Sequence, residues 1–258
     1  MARHQYEELF WAIAGVAGFL LIWQLVVSVT VLGDLIPGPV DIFKSFFVSF
    51  VVPVGQRTIQ EHALISLVRV LVGYALGVTL GIMAGIGMGV SKMFEAIFKP
   101  IFEVLRPIPT IAWIPLAILW FGVGEIAKYY IIFYSTFVIL TINSYAAVKQ
   151  VNPELIGAAK MLGATERQIF PKVILPSCIP QIFAGMQTAL SASWMSVIAA
   201  EMIKSTEGLG WMIIMGQQTA NTVQILAGMV AIAVIGLLMA SLMRTVEGKL
   251  LSWNIRRT

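Results

Sequence analysis

Six stretches of this chain, residues 9–33, 70–91, 107–124, 129–148, 173–200 and 208–243, contain no Asp, Glu, Lys or Arg. A helix that crosses a bilayer needs about 20 mostly apolar residues, and these runs supply them. Charged residues make up 12% of the 258, about half the share a water-facing surface carries. A soluble domain is excluded on that ground, and the chain reads as one all-α polytopic membrane domain over 1–258. The net charge of +4 does not point to nucleic acid, because in a membrane protein the position of the charges matters more than their sum.

The first run is too long for the apolar core of a signal peptide, about 7–15 residues, and lacks a small-residue cleavage site. It reads as a retained span. The last run, as one helix, would be about 54 Å long against a hydrocarbon core of about 30 Å. The polar sequence Gln217-Gln218-Thr219-Ala220-Asn221-Thr222 divides it. Six spans are therefore expected, at 9–33, 62–91, 106–124, 128–148, 177–203 and 223–243. Residues 37–54 are expected as an external interfacial helix, and 208–220 as an external re-entrant or interfacial segment.

Basic residues orient the bundle. With the N-terminus inside, Arg3, Lys92, Lys99, Arg106, Lys149, Lys160, Arg167, Lys172, Arg244, Lys249, Arg256 and Arg257 are cytoplasmic. Lys44, Arg57, Lys128 and Lys204 are outside, and Arg69 falls within a span. Both termini are then cytoplasmic, and so is the segment 153–176.

Gly73, Gly77, Gly81, Gly85 and Gly89 recur every fourth residue and line one helix face. Small residues let another backbone approach closely, within the bundle or in a second copy. Pro107, Pro109 and Pro115 crowd the third span, where proline removes a backbone donor and clashes one turn back. At membrane depth such a break sits in protein or beside a cavity; Pro107 and Pro109 equally suit an ordinary kink at the helix start, whereas Pro115 points to a break.

Residues 152–176 differ from everything around them. Pro153 suits a first helical turn and Glu154 the positive end of a helix. Ala158 and Ala159 expose a small face, and Gly163 stops the helix where a left-handed cap is needed. Thr165 can cap a second helix running toward Pro176. The product is a short helix–turn–helix on the cytoplasmic side, made to dock into a partner's groove.

Ala158-Ala159, then Gly163, then nine residues, then Val173-x-Leu175-Pro176 resembles the signature loop of binding-protein-dependent ABC importer permeases. Gly157 stands where that pattern has glutamate, and Val173 where it has isoleucine. Arg106-Pro-Ile-Pro-Thr-Ile-Ala-Trp-Ile-Pro-Leu, Trp120-Phe-Gly-Val-Gly-Glu125, Ala199-Ala-Glu-Met and Gly208-Leu-Gly-Trp-Met are similar to the nitrate/sulfonate/taurine branch of that family. The resemblance implies the type I importer fold and a bacterial inner-membrane location. It further implies a homodimer of permeases, two ATP-binding subunits docked on the loop, and an extracytoplasmic solute-binding protein. Glu154, Gly157, Ala158, Ala159, Lys160, Gly163 and Pro176 would form the coupling site, with Glu154 and Lys160 as its charged candidates. ATP and Mg would belong to the partner subunit. No cofactor is expected on this chain, since it lacks the Gly-x4-Gly-Lys-Ser/Thr phosphate loop; Gly248-Lys249 is its only Gly-Lys pair.

Ionisable and polar residues in spans are pathway candidates. They are Arg69, Arg106, Trp113, Ser193, Ser196 and Glu201. Arg69 and Glu201 are equally able to pair with each other, Arg106 with Glu103, and the serines to serve helix packing. Trp113, between two prolines, suits interhelical filling as well as a pathway. One cysteine, Cys178, and two well-separated histidines, His4 and His62, make a thiolate or histidine metal site implausible. Without paired acids at metal-ligand spacing, no enzyme site is evident. An ion-gradient-driven secondary transporter is the rival reading, and the helix–turn–helix separates it from the importer permease.

Overall fold

The structure, a computed structural model, describes residues 2–34 and 36–251. Arg256 and Arg257, used in the charge count, lie outside the described residues. No sheet forms among the described residues beyond one isolated bridge, Val54 with Arg57. Eleven α-helices are described, and five are long and apolar enough to cross a membrane.

Helix α1 (Ala2–Val29) has no buried residue over Phe10–Val29 and meets α2 at Gln24, whose Oε1 accepts from Val40 N–H at 3.3 Å. Helix α2 (Pro39–Val48) follows, with proline in its first turn where the missing N–H costs nothing. It covers the middle of the expected 37–54 segment.

Helix α3 (Ile59–Val90) and helix α6 (Glu125–Lys149) form the tightest pair in the bundle. The five-glycine stripe of α3 faces Ile132, Thr136, Leu140, Ser144 and Val148 of α6, also spaced by four. A Cβ placed at any of these glycines would come within 2.4–2.8 Å of an α6 atom. The stripe is therefore spent on packing within one chain.

Residues 106–124, expected as one span, do not form one helix. Residues 92–105, whose basic side chains were read only for orientation, form helix α4 (Lys92–Leu105). A 3-10 turn over Thr110–Trp113 and helix α5 (Ile114–Phe121) then follow. The two parts meet at 93°, and only as a broken pair do they raise the spans to six. Alone, α5 reaches about 12 Å, far less than the bilayer core. Pro107 and Pro109 are the physical cause, since neither can supply an N–H to continue α4. Pro115, by contrast, lies in the first turn of α5 and starts that helix instead of breaking it.

Helix α7 (Pro153–Met161) and helix α8 (Glu166–Ile169) come next. A π-helical turn over Phe170–Ile174 joins α8 to helix α9 (Leu175–Ile203), giving one continuous apolar run over Glu166–Ile203. The sequence reading set a boundary at 176/177, where the structure has no break. The Leu175 N–H reaches back five residues to the Phe170 carbonyl. That longer loop of the ladder carries the chain past Pro171 and Pro176 without ending the helix.

Helix α10 (Leu209–Gln218) is short, and Ala220, with φ +52°, turns the chain into helix α11 (Thr222–Leu250). The Asn221 side chain caps α11 by accepting from Gln224 N–H at 3.0 Å. Gln224 Nε2 in turn donates to the Met212 carbonyl at 3.1 Å, tying α11 to α10. Cys178 is buried with Leu140, Ala147 and Ile182, as a small apolar core residue.

Candidate functional site

Two groups of residues stand out, one at each end of the bundle. At the end where α6 finishes and α9 begins, residues 152–169 project outward. The Asn152 side chain caps α7 by accepting from Glu154 N–H at 2.9 Å, and Pro153 opens the helix. At its other end Ala164 N–H donates to the Ala159 carbonyl at 3.0 Å, and Gly163 N–H to the Lys160 carbonyl at 2.9 Å. These two bonds, with Gly163 at φ +82°, make a Schellman cap. Thr165 and Gln168 then close a capping box that starts α8. Lys160 Nζ lies 2.7 Å from Glu166 Oε1 across the turn between the two helices, a solvent-exposed pair.

The face so built is open. No residue of α7 is buried, and a Cβ at Gly157 or Gly163 would meet nothing within 4 Å. Ala158 is exposed and Ala159 half-buried. Met161 and Leu162 are 86% and 88% exposed, which for apolar side chains beside a polar turn marks a contact surface. The sequence reading passed over both, because an apolar residue in an apolar chain gives no signal of its own. Pro176 lies away from this face, in the first turn of α9.

At the opposite end, Arg69 is 1% exposed and fully engaged. Its Nε and Nη2 donate side-on to both Glu125 oxygens at 2.6 Å. Its Nη1 donates to Glu201 Oε1 at 2.8 Å and to the Glu207 carbonyl at 3.0 Å. Glu201 also accepts from Ser66 Oγ at 2.9 Å and from Gly210 N–H at 3.0 Å. Lys128 adds a bond to Glu125 at 2.8 Å, and Arg57 one to Glu207 at 2.9 Å. His62 extends the network: Nδ1 accepts from Gly208 N–H at 3.1 Å, leaving Nε2 to donate to the Val54 carbonyl at 3.0 Å. The cluster clamps α3, α6, α9 and the start of α10 together.

The sequence-derived pathway candidates separate accordingly. Arg69 and Glu201 neutralise each other inside the bundle and present no free polar atom to a passing solute. Ser193 is fully buried, its Oγ between the Ala189 carbonyl at 2.6 Å and Thr136 Oγ1 at 2.8 Å. Ser196 is buried too, at 8% exposure. Trp113 packs against Tyr134 with ring centroids 4.8 Å apart and planes tilted by 43°, filling the space between the broken segment and α6. Arg106 is exposed at the end of α4, and no ion pair joins it to Glu103. The exposed line of α9 runs instead through Thr188, Ser191 and Met195. Ser191 and Met195 border a groove of about 460 Å³ against α11, with Gln187, Trp194 and Arg244 among its other walls.

Residues 77–251 match the family described as binding-protein-dependent transport system inner membrane component. The chain belongs to that family. The taurine transport system permease protein TauC of Escherichia coli (strain K12) is 33% identical over 246 residues, covering 94% of this chain and 89% of TauC. The nitrate import permease protein NrtB of Synechococcus elongatus is 29% identical over 201 residues, 76% of this chain and 72% of NrtB. Among solved structures, a chain of the MetNI methionine ABC transporter in inward-facing conformations aligns with a TM-score of 0.59 at 20% identity. That alignment covers 74% of this chain and 93% of the other, and it speaks for the fold. This ABC importer permease is thus a multi-pass inner-membrane transport subunit, and the ion-gradient-driven alternative is without support.

Proposed function

We propose that this permease carries a small sulfonate or oxyanion, of the taurine, alkanesulfonate or nitrate class, delivered by an extracytoplasmic binding protein. Two copies form the pathway, and two ATP-binding subunits, which hold ATP and Mg, dock on the segment from α7 to α8. Both termini and that segment face the cytoplasm, following the distribution of Lys and Arg. The exposed α9 line through Thr188 and Ser191, with Arg106, borders the route of the anion.

One observation carries the reading. The α7–α8 turn is rigidly capped at both ends yet presents Met161 and Leu162 almost bare beside Ala158 and Gly157. A preorganised surface of small and apolar residues loses little order on binding, which favours docking into a groove. Gly157 stands where the pattern has glutamate, so contact rests on shape and apolar burial more than on a charge at that position.

The experiment replaces Met161 and Leu162 together with aspartate. Because both side chains are exposed, the permease should fold as before, while the ATP-binding subunits no longer co-purify with it. Co-purification at the unsubstituted ratio would refute the docking surface.

A further inference from the structure

Beside the docking segment lies a charged cluster that neither the family match nor the docking reading assigns. Glu95, in the first turn of α4, accepts from Tyr145 Oη at 2.5 Å and from Lys149 Nζ at 2.6 Å. Lys99, one turn along α4, lies 4.0 Å from the same carboxylate. Lys99 and Lys149 also flank the Tyr145 ring, at 5.8 and 5.6 Å from its centroid. Two cations, one carboxylate and one ring thus join α4 to the last turn of α6.

The position of the cluster is what gives it meaning. Lys149 ends α6, and only Gln150, Val151 and Asn152 separate it from α7. Val151 is buried, and Ile156 of α7 packs with it against Ala147 and Cys178. A displacement of α7 is therefore passed to the end of α6. No residue of α4 is fully buried; Phe94, beside Gly87 of α3, and Phe102 are half-buried, so this helix is held only along one side. Its other ties to α6 are a ring contact, Phe102 with Phe137 at 5.6 Å, and a long 3.4 Å bond from Tyr134 Oη to the Leu105 carbonyl. Past the 93° bend, α4 leads directly into Thr110–Phe121.

We infer that Glu95 and Lys149 are positioning residues that transmit movement of the docked α7–α8 segment to α4, and through the bend to the broken span. The inference rests on the docking reading above. Charge-assisted bonds suit this role because they hold geometry through a rigid movement. Lys149 is 41% exposed and Glu95 21%, so the pair adds little to static stability. Neutralising it should leave the fold intact, and a coupling role becomes separable from a structural one.

The test uses the complex of permease and ATP-binding subunits, in a Cys178→Ala background with unlabelled copies in excess. Spin labels at Met93→Cys on α4 and Val123→Cys beyond α5, both well exposed, report the distance across the bend. Trapping with ATP and vanadate should shift that distance in the reference protein. Glu95→Gln should abolish the shift while the ATP-binding subunits still co-purify, and Glu95→Lys combined with Lys149→Glu should restore it. An unchanged shift in Glu95→Gln, no shift in the reference, or no rescue by the reversed pair would each overturn the inference. Loss of co-purification in Glu95→Gln alone would also overturn it, since the pair would then shape the docking surface. Failure of the reference permease to bind the ATP-binding subunits would instead refute the docking reading.

Discussion

Arg69 on α3 and Glu201 on α9, 132 positions apart in sequence, meet at 2.8 Å with side chains 1% and 0% exposed. A buried pair of this kind is held by its hydrogen bonds as much as by Coulomb attraction. Here Ser66 and Gly210 take up the remaining capacity of the Glu201 carboxylate, and Glu125 and Glu207 that of the guanidinium. The pair thereby joins three helices and the start of α10 at one end of the bundle.

Removing one partner should therefore be worse than removing a contact. Arg69→Met leaves Glu201 charged, buried and short of its main partner, a loss of about 3–5 kcal/mol in comparable buried pairs. Arg69→Lys should be intermediate, because an ammonium cannot bond side-on to Glu125. Thermal unfolding of the detergent-solubilised protein measures both. A Met variant that melts like the reference but shifts the KM for transport would return Arg69 to the list of pathway residues.

The glycine stripe makes a steric prediction. At Gly85 a Cβ would come 2.4 Å from the Thr141 carbonyl oxygen, a backbone atom that cannot move aside alone. Gly85→Leu should force α3 and α6 apart and cost about 1–3 kcal/mol or more as overpacking. Gly15→Ala on α1, where a Cβ meets nothing within 4 Å, is the matched control and should leave the melting temperature unchanged.

Gly163 makes a conformational one. Nothing obstructs a side chain there, so any penalty comes from φ +82° alone. Gly163→Val should cost about 1–2 kcal/mol locally, melt the Schellman cap and uncouple transport. Gly163→Asn, which tolerates the left-handed region, should retain most activity. Uptake and co-purification of ATP-binding subunits, measured for both variants, decide the matter; two indistinguishable variants would refute it.

Reconstitution tests the division of labour. Vesicles holding this chain alone should show no ATP-driven uptake of taurine, methanesulfonate or nitrate, and uptake should appear when the ATP-binding subunits and binding protein are added. Uptake by the lone chain under a proton or sodium gradient would contradict the assignment as an importer permease.

Several features were open to a reading of the sequence. Uncharged runs locate membrane helices because a charged side chain at the bilayer centre is costly, and they are helical because each span must satisfy its own backbone in lipid. Pro153, Gly163 and Thr165 announce helix ends because capping is a matter of a few neighbouring residues; the Asn152 cap emerged only with the structure. The shape of the α7–α8 segment was legible for that reason, down to its turn. Met161 and Leu162 escaped notice, since exposure depends on what the remaining chain fails to cover. In the third span the prolines pointed to a break, but the bounds 106–124 missed that α4 is its other half, because an uncharged run reports polarity and says nothing about a 93° bend.

The sequence by itself thus determined the class of fold, most of the helices and the shape of the α7–α8 turn, all of which follow from local composition and short-range hydrogen bonding. Only the tertiary structure decided what those helices do to one another. It assigned the five glycines of α3 to α6, enclosed Arg69 and Glu201 in a shared cluster, and set Glu95 against Lys149. Each of these is a long-range pairing among several chemically acceptable partners, and the choice is made by close packing of whole helices.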